Sequence, residues 1–237
     1  MAEIVSVPED SGRYLVCSRY RGQFQPGWFS PEFWQPSIMP VSSGGRGSAW
    51  FIDSPDGPWV LRHYLRGGLI ARVLSHHYLY TGGSRVRSFQ ELELLEQMYG
   101  EGLPVPEPIA AVCNRRWGLY YSCAILMKRL PGTVPMGDLL ETLPLSRWRD
   151  VGAVIRRFHE RNVNHADLNC FNILISEENI YVIDFDKGRR VPASEPEVAW
   201  KRANLERLKR SVVKVIGADN SELNSRWSSL LAGYHQA

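Results

Sequence analysis

Long apolar runs are missing from this chain. None approaches the ~20 residues that a bilayer-spanning helix needs, so no spanning helix is expected. Cysteine is scarce and scattered. Cys17, Cys113, Cys123 and Cys170 form no Cys-x-x-Cys pair, which points to a reduced compartment and away from structural zinc. The first ten residues have no basic stretch followed by an apolar one, so no secretory signal is expected. There is no His-Glu-x-x-His and no Gly-x-Ser-x-Gly, which excludes a zinc-protease helix and a hydrolase nucleophile elbow. No internal repeat or low-complexity segment occurs. Lysine is absent from Met1 to Met127.

What is present is a globular composition: 237 residues, 44% of them hydrophobic, with a formal net charge of +3. That is ample chain for a substantial core in one or two lobes. The mild positive charge permits an anionic partner without requiring one.

The most informative stretch is 165–187, which carries Asp167, Asn172 and Asp184. It opens His-Ala-Asp-Leu-Asn-Cys-Phe-Asn and closes Asp-Phe-Asp-Lys, with a strand at 173–175, a turn at 176–179 and a returning strand at 180–183 between them. Kinases write this pattern as His-x-Asp-Leu-x-x-x-Asn followed by Asp-Phe-Gly. The returning strand brings Asp184 back beside Asn172. Those two can share metal ions on a nucleotide's phosphates while Asp167 faces an acceptor hydroxyl. His165 reads as a loop-orienting residue. A hairpin whose Asp and Asn residues merely make turns leaves the spacing unexplained.

Ahead of this hairpin, residues 24–36 hold five aromatics and three prolines, which forbid a regular helix. They read as a strap laid on the domain surface or as an edge facing lipid or substrate. Strands are expected at 38–41, 49–53 and 59–64. Between the first two, Gly44, Gly45, Arg46 and Gly47 form a candidate phosphate-covering loop, because glycines let backbone amides approach phosphate closely. The third glycine of Gly-x-Gly-x-x-Gly is lacking. The third strand runs Trp-Val-Leu-Arg62, where a protein kinase places lysine. Arg62 either takes that role, as a planar fork instead of a point charge, or is a surface strand residue. Residues 85–99 place Phe89, Leu92, Leu95 and Met98 at helical spacing. Glu91 on this helix is the candidate partner of Arg62, with Glu93 as its competitor and an ordinary solvated glutamate as the third reading.

Strands are expected at 109–112 and 120–127 with a turn at 114–118, and a helix at 146–162 leads to His165. After Asp186 the long activation segment of protein kinases is missing, and Glu195-Pro-Glu197 follows as a coincidence. So short a lobe offers little platform for a peptide and favours a small or glycan-like acceptor. Residues 200–216 form an amphipathic helix whose basic face is either solvated or in contact with an anionic membrane or a phosphorylated acceptor. The expected fold is α+β and two-lobed, like a protein kinase. Residues 1–127 form an N-terminal lobe of antiparallel sheet plus helix, 128–132 a hinge, and 133–237 a small, mostly helical catalytic lobe with the β-hairpin.

Several stretches together resemble the Kdo (3-deoxy-D-manno-octulosonic acid) kinase family. They are Gly45-Arg-Gly47 with Trp50-Phe-Ile52, Val60-Leu-Arg-His-Tyr64 with Arg66-Gly-Gly68, and Arg87-Ser-Phe-Gln-Glu91. Gly102-Leu-Pro-Val-Pro106, His165-Ala-Asp-Leu-Asn169, Asn172-Ile-Leu174, Ile183-Asp-Phe-Asp186 and Asn204-Leu-Glu-Arg-Leu208 with Arg210-Ser211 extend the likeness nearly end to end. The family usually has Ala-His where this chain has Cys170-Phe171, a departure that leaves Asp167 and Asn172 in place.

The resemblance implies a kinase-like fold using ATP and Mg²⁺. It implies transfer of the γ-phosphoryl group to the 4-hydroxyl of Kdo on Kdo-lipid IVA, in lipopolysaccharide core assembly. The expected place is peripheral, on the cytoplasmic face of the bacterial inner membrane with its anionic surface. Neither nucleic acid nor an obligate protein partner is expected. In this reading Asp167 takes or orients the acceptor's proton, and Asn172 and Asp184 hold metal. Asp186 is a further metal-side acid or pairs with Lys187, Arg189 or Arg190. The alternatives are a heptose kinase or another sugar or small-molecule kinase, an antibiotic phosphotransferase, an atypical protein kinase, and a non-catalytic pseudokinase scaffold.

Overall fold

The computed structural model describes residues 4–9, 12–41, 49–64, 78–79, 86–116 and 120–236. The chain divides into two compact units: Met1–Gly100 with Pro106–Pro131, and Glu101–Val105 with Gly132–Ala237.

In the first unit, short β-branched and aromatic runs punctuated by turns build an antiparallel sheet. Its strands are β1 (Ile4–Glu9), β2 (Gly12–Cys17), β3 (Ile38–Pro40) and β4 (Ala49–Ser54). They continue as β5 (Gly57–His63), β6 (Tyr78–Leu79), β7 (Pro108–Arg116) and β8 (Tyr120–Lys128). Among the described residues the order is β1-β2-β7-β8-β5-β4-β3, with β6 also on β8. Gly57 closes the β4–β5 turn at φ +95°, a conformation that a side chain would strain. Helix α1 (Arg87–Gly100) buries Phe89, Leu92, Leu95 and Met98 and packs on β7. Each such burial contributes about 1.5–3 kcal/mol.

Two differences from the sequence reading appear in this unit. The β1–β2 hairpin was not anticipated. Strand β7 also continues through Arg116, where a turn was expected, because Asn114 pairs with Ser122 and extends the ladder. The aromatic strap turns its indoles inward. Trp28, Phe29 and Trp34 are buried, and the Trp28 and Trp34 rings lie 4.8 and 5.4 Å from that of Trp59 on β5. Phe33 stays exposed. Arg19 ties the end of β2 to α1 and the approach to β7. It bonds both Glu96 oxygens at 2.8 Å, and Glu107 and the Pro108 carbonyl at 2.7 Å.

The second unit holds β9 (Val134–Pro135), α2 (Leu145–Glu160), β10 (Val163–Asn164) and β11 (Ile173–Ile175). It continues with β12 (Ile180–Val182), β13 (Arg189–Arg190), α3 (Glu197–Ile216) and α4 (Leu223–His235). On α2, Trp148, Val151, Ile155 and Phe158 are buried, following the apolar spacing, and Val154 is half-buried. The helix ends before Asn162, which adopts φ +54°. Helix α4, which the sequence reading did not anticipate, lies against α2 at a reciprocal glycine contact. A Cβ on Gly152 would stand 1.9 Å from the Leu230 carbonyl oxygen, and one on Gly233 would stand 1.9 Å from that of Arg149. The two backbones touch, so neither position tolerates a methyl group.

Gly152→Ala and Gly233→Ala are each expected to destabilise the protein by about 1–3 kcal/mol through overpacking. Gly22→Ala, where an added Cβ meets nothing within 4 Å, serves as a near-neutral control. Thermal unfolding midpoints check this: equal midpoints for all three variants would mean that α2 and α4 are not in backbone contact.

Candidate active site

The hairpin is built by alternation. Strands β11 and β12 pair as Ile173↔Val182, Leu174↔Tyr181 and Ile175↔Ile180. The four β-branched end residues are buried, and Leu174 and Tyr181 point to the less enclosed face. Beyond this ladder the Ile183 N–H donates to the Asn172 carbonyl at 2.9 Å. That bond holds Asp184, the next residue, at the same end of the hairpin as Asn172. Asp184 adopts φ +63°. The left-handed region costs a non-glycine residue about 1–2 kcal/mol, so the surroundings must enforce it. Phe185 supplies the anchor. It is buried, stacks on Phe158 of α2 with centroids 5.6 Å apart, and lies 4.7 Å from the His165 ring.

The loop before β11 is pinned through its backbone. The Asp167 N–H donates to His165 Nδ1 at 3.1 Å, and its carbonyl accepts from the Asn169 and Asn172 side-chain amides at 3.0 Å each. The Asp167 carboxylate is left facing solvent, with Asn169 Nδ2 at 3.4 Å from Oδ2. His165 Nε2 lies 2.9 Å from the Ile183 carbonyl, a pure acceptor. The proton therefore resides on Nε2, Nδ1 accepts, and the ring is neutral. Burial pushes its pKa down, against the opposing pull of the Ile183 hydrogen bond.

The deeper support comes from α3. Asn204 is buried; its Oδ1 accepts the His165 N–H at 3.2 Å. Its Nδ2 donates to the His165 carbonyl at 3.1 Å and to Asn164 Oδ1 at 2.9 Å. His159 of α2 joins this cluster, with Nε2 3.4 Å from Asn204 Oδ1 and Nδ1 2.7 Å from the Tyr234 hydroxyl of α4. Two turns further along α3, Ser211 Oγ accepts the Cys170 N–H at 2.9 Å and donates to the Leu208 carbonyl at 2.7 Å. The sequence reading gave Asn204 and Ser211 no role. The available signal was two polar residues set into the apolar stripe of Trp200, Leu208 and Val212.

In the first unit, Arg62 donates to Glu91 Oε2, and so does the Tyr64 hydroxyl; Arg62 also lies 3.2 Å from that hydroxyl. Glu91 is buried whereas Glu93 is exposed, so the fold turns Glu91 toward Arg62. Burial, then the Glu91 charge, holds the Tyr64 hydroxyl well above its usual pKa, so it remains a proton donor. Gly44, Gly45, Arg46 and Gly47 lie outside the described residues.

The donors that would hold a metal are few. Asn172 spends its Nδ2 on the Asp167 carbonyl, which leaves Oδ1 as an acceptor at the end of the hairpin that also carries Asp184. Among the described residues no cluster of three or more His, Cys, Asp or Glu converges. One amide oxygen and one carboxylate form a hard, sparse set. It suits a divalent cation that keeps waters and shares substrate phosphate oxygens. Asp186 is half-buried two residues on. Of its candidate basic partners, Arg189 bonds Glu195 at 2.7 and 2.8 Å, and Arg190 bonds Glu101 at 2.6 Å.

An antiparallel sheet with one helix, and a helical unit carrying this loop and hairpin, define the protein-kinase-like class. A solved structure described as "WaaP in complex with acyl carrier protein" superposes with a TM-score of 0.56, covering 97% of this chain and 88% of that one at 16% identity. That likeness is one of fold. Residues 31–234 match the family model described as "Lipopolysaccharide kinase (Kdo/WaaP) family". The chain is 46% identical over 205 residues to a 3-deoxy-D-manno-octulosonic acid kinase of Stenotrophomonas maltophilia strain K279a, covering 84% of this chain and 80% of the relative. It is 43% identical over 208 residues to the enzyme of the same description from Xylella fastidiosa strain M12, covering 85% and 80%. The chain belongs to the lipopolysaccharide kinase (Kdo/WaaP) family. It is a phosphotransferase with an alcohol group as acceptor.

The buried histidines give the fold a pH dependence of known sign. Burial pulls His159 from 6.5 down to about 4. Between those values the unfolded chain binds a proton that the native state does not, so stability falls as pH drops through the window. The slope reaches at most about 1.4 kcal/mol per pH unit for each such group. Urea midpoints at pH 7 and pH 5 are expected to differ less in His159→Gln than in the parent; an equal or larger difference would contradict a neutral buried His159.

Proposed function

We propose that this kinase transfers the γ-phosphoryl group of ATP to the 4-hydroxyl of the Kdo sugar on Kdo-lipid IVA, with Mg²⁺ as cofactor. The observation that carries the reading is the ordered set Asp167, Asn172 and Asp184, held by backbone and side-chain hydrogen bonds in a chain 46% and 43% identical to 3-deoxy-D-manno-octulosonic acid kinases. Asp167 meets the acceptor hydroxyl and takes or orients its proton, because its backbone is fixed while its carboxylate faces outward. Asn172 Oδ1 and the Asp184 carboxylate hold Mg²⁺, with Asp186 as a further candidate ligand. When bound, the metal neutralises charge on the transferring phosphates. Arg62, braced by Glu91 and Tyr64, is the phosphate-facing cation of the first unit, and its fork replaces the usual lysine. The glycines at 44, 45 and 47 with Arg46 are assigned to the phosphates from the sequence alone.

Among the described residues no helix is long and apolar enough to cross a membrane. The outer face of α3 carries exposed Lys209, Arg210 and Lys214. That cationic face supports a peripheral position on the anionic cytoplasmic face of the inner membrane, where a lipid-linked acceptor resides.

The test is transfer of labelled γ-phosphate to Kdo-lipid IVA, its heptosylated form and a generic protein, with and without Mg²⁺. Label is expected on the Kdo-bearing lipid, only with the metal. Asp167→Ala is expected to lower the rate roughly 10²–10⁴-fold, and Asp184→Asn at least as much. Label confined to the heptosylated lipid or to protein would overturn the acceptor. No label while ATP still binds would favour a scaffold.

A further inference from the structure

We propose that Phe171 is the acceptor platform of this site: its ring supports the apolar C–H face of the sugar whose hydroxyl meets Asp167. This rests on the kinase reading above and adds a specificity element to it. Phe171 is 47% exposed. It lies four residues after Asp167 and directly before Asn172.

The ring is held, not loose. The Phe171 N–H donates to Asn169 Oδ1 at 2.9 Å, and the same Asn169 side chain bonds the Asp167 carbonyl at 3.0 Å. The preceding Cys170 is buried; its carbonyl accepts the Gly137 N–H at 3.0 Å. The ring also rests on Gly137. A Cβ there would meet Phe171 Cε1 at 2.5 Å and Cδ1 at 2.7 Å, so the missing side chain is the seat of the ring. One side of the ring is backed by Gly137 and the remainder is open to solvent, on the same loop that carries Asp167.

The chemistry of that open face selects its occupant. Pyranose sugars present hydroxyl groups at their edges and C–H groups on their faces, and the C–H face is what an aromatic ring covers favourably. Phosphate and carboxylate groups gain nothing from it. The nucleotide base also has an apolar face, but a full triphosphate separates it from the transferred group, whereas the sugar bearing the reacting hydroxyl lies next to Asp167. The acyl chains of a lipid acceptor are the remaining candidate, and an acceptor without them separates the two.

Steady-state kinetics of the full chain test this, using Kdo-lipid IVA and a water-soluble deacylated form of it. Phe171→Ala is expected to raise the acceptor KM roughly 3–10-fold on both acceptors, the size of one aromatic contact, with a smaller change in kcat and in the KM for ATP. Phe171→Trp should keep the parent value, because it keeps a ring. Gly137→Ala should act like Phe171→Ala, because its methyl group displaces the ring from its seat. An unchanged acceptor KM in Phe171→Ala would overturn the proposal. So would equal losses in kcat and both KM values, which would mark a merely structural residue. An effect confined to the acylated acceptor would assign the ring to lipid and overturn it as well. If the parent enzyme labels a different sugar, the Kdo reading fails on the parent alone, and the same ratios on that sugar decide the role of Phe171.

Discussion

One buried amide carries the catalytic loop. Asn204 bonds both the N–H and the carbonyl of His165, and the His165 ring in turn accepts the Asp167 N–H. Each hydrogen bond is worth only about 0.5–1.5 kcal/mol net, but leaving either backbone group unpaired in the interior costs more. The loop therefore has one satisfied arrangement. Asn204 is itself set by His159, which reaches Tyr234 on α4. The α2–α4 approach that brings those two together depends on Gly152 and Gly233 lacking side chains. A packing constraint between two helices thus runs through Tyr234, His159, Asn204 and His165 to Asp167.

The chemistry at the end of that chain is economical. Asp167 has its backbone fully engaged and its side chain exposed. Asn172 has one side-chain atom committed and the other available. Asp184 is held in a left-handed backbone conformation by Phe185, which is wedged against Phe158 and His165. With Asn172 and Asp184 as the proposed metal ligands, one amide oxygen and one carboxylate would leave the rest of the coordination to water and substrate phosphates. The family to which the chain belongs is one of lipopolysaccharide kinases.

Much of this was legible in the sequence. The hairpin is read directly because alternation of period two and a polar turn specify it locally, and the strand predicted at 173–175 is the strand observed. The inward face of α1 follows from Phe89, Leu92, Leu95 and Met98, and burial chooses Glu91 over Glu93. What was not legible is what tertiary contacts decide. Helix α4 carries serines and a glycine that weaken helical propensity, and only its contact with α2 explains it. The roles of Asn204 and Ser211 have no local signature, since their partners lie about forty residues away. The inward turn of Trp28 and Trp34 depends on Trp59, a strand residue that no local pattern connects to the strap.

In the proposed function Asp167 directs phosphate to one hydroxyl of the Kdo sugar. The most direct measurement is ³¹P–¹H correlation NMR on the product isolated from Kdo-lipid IVA and ATP. The expected result is a single new phosphate signal correlated with the proton on carbon 4 of Kdo. A correlation to any other position, or to another sugar, would contradict the account.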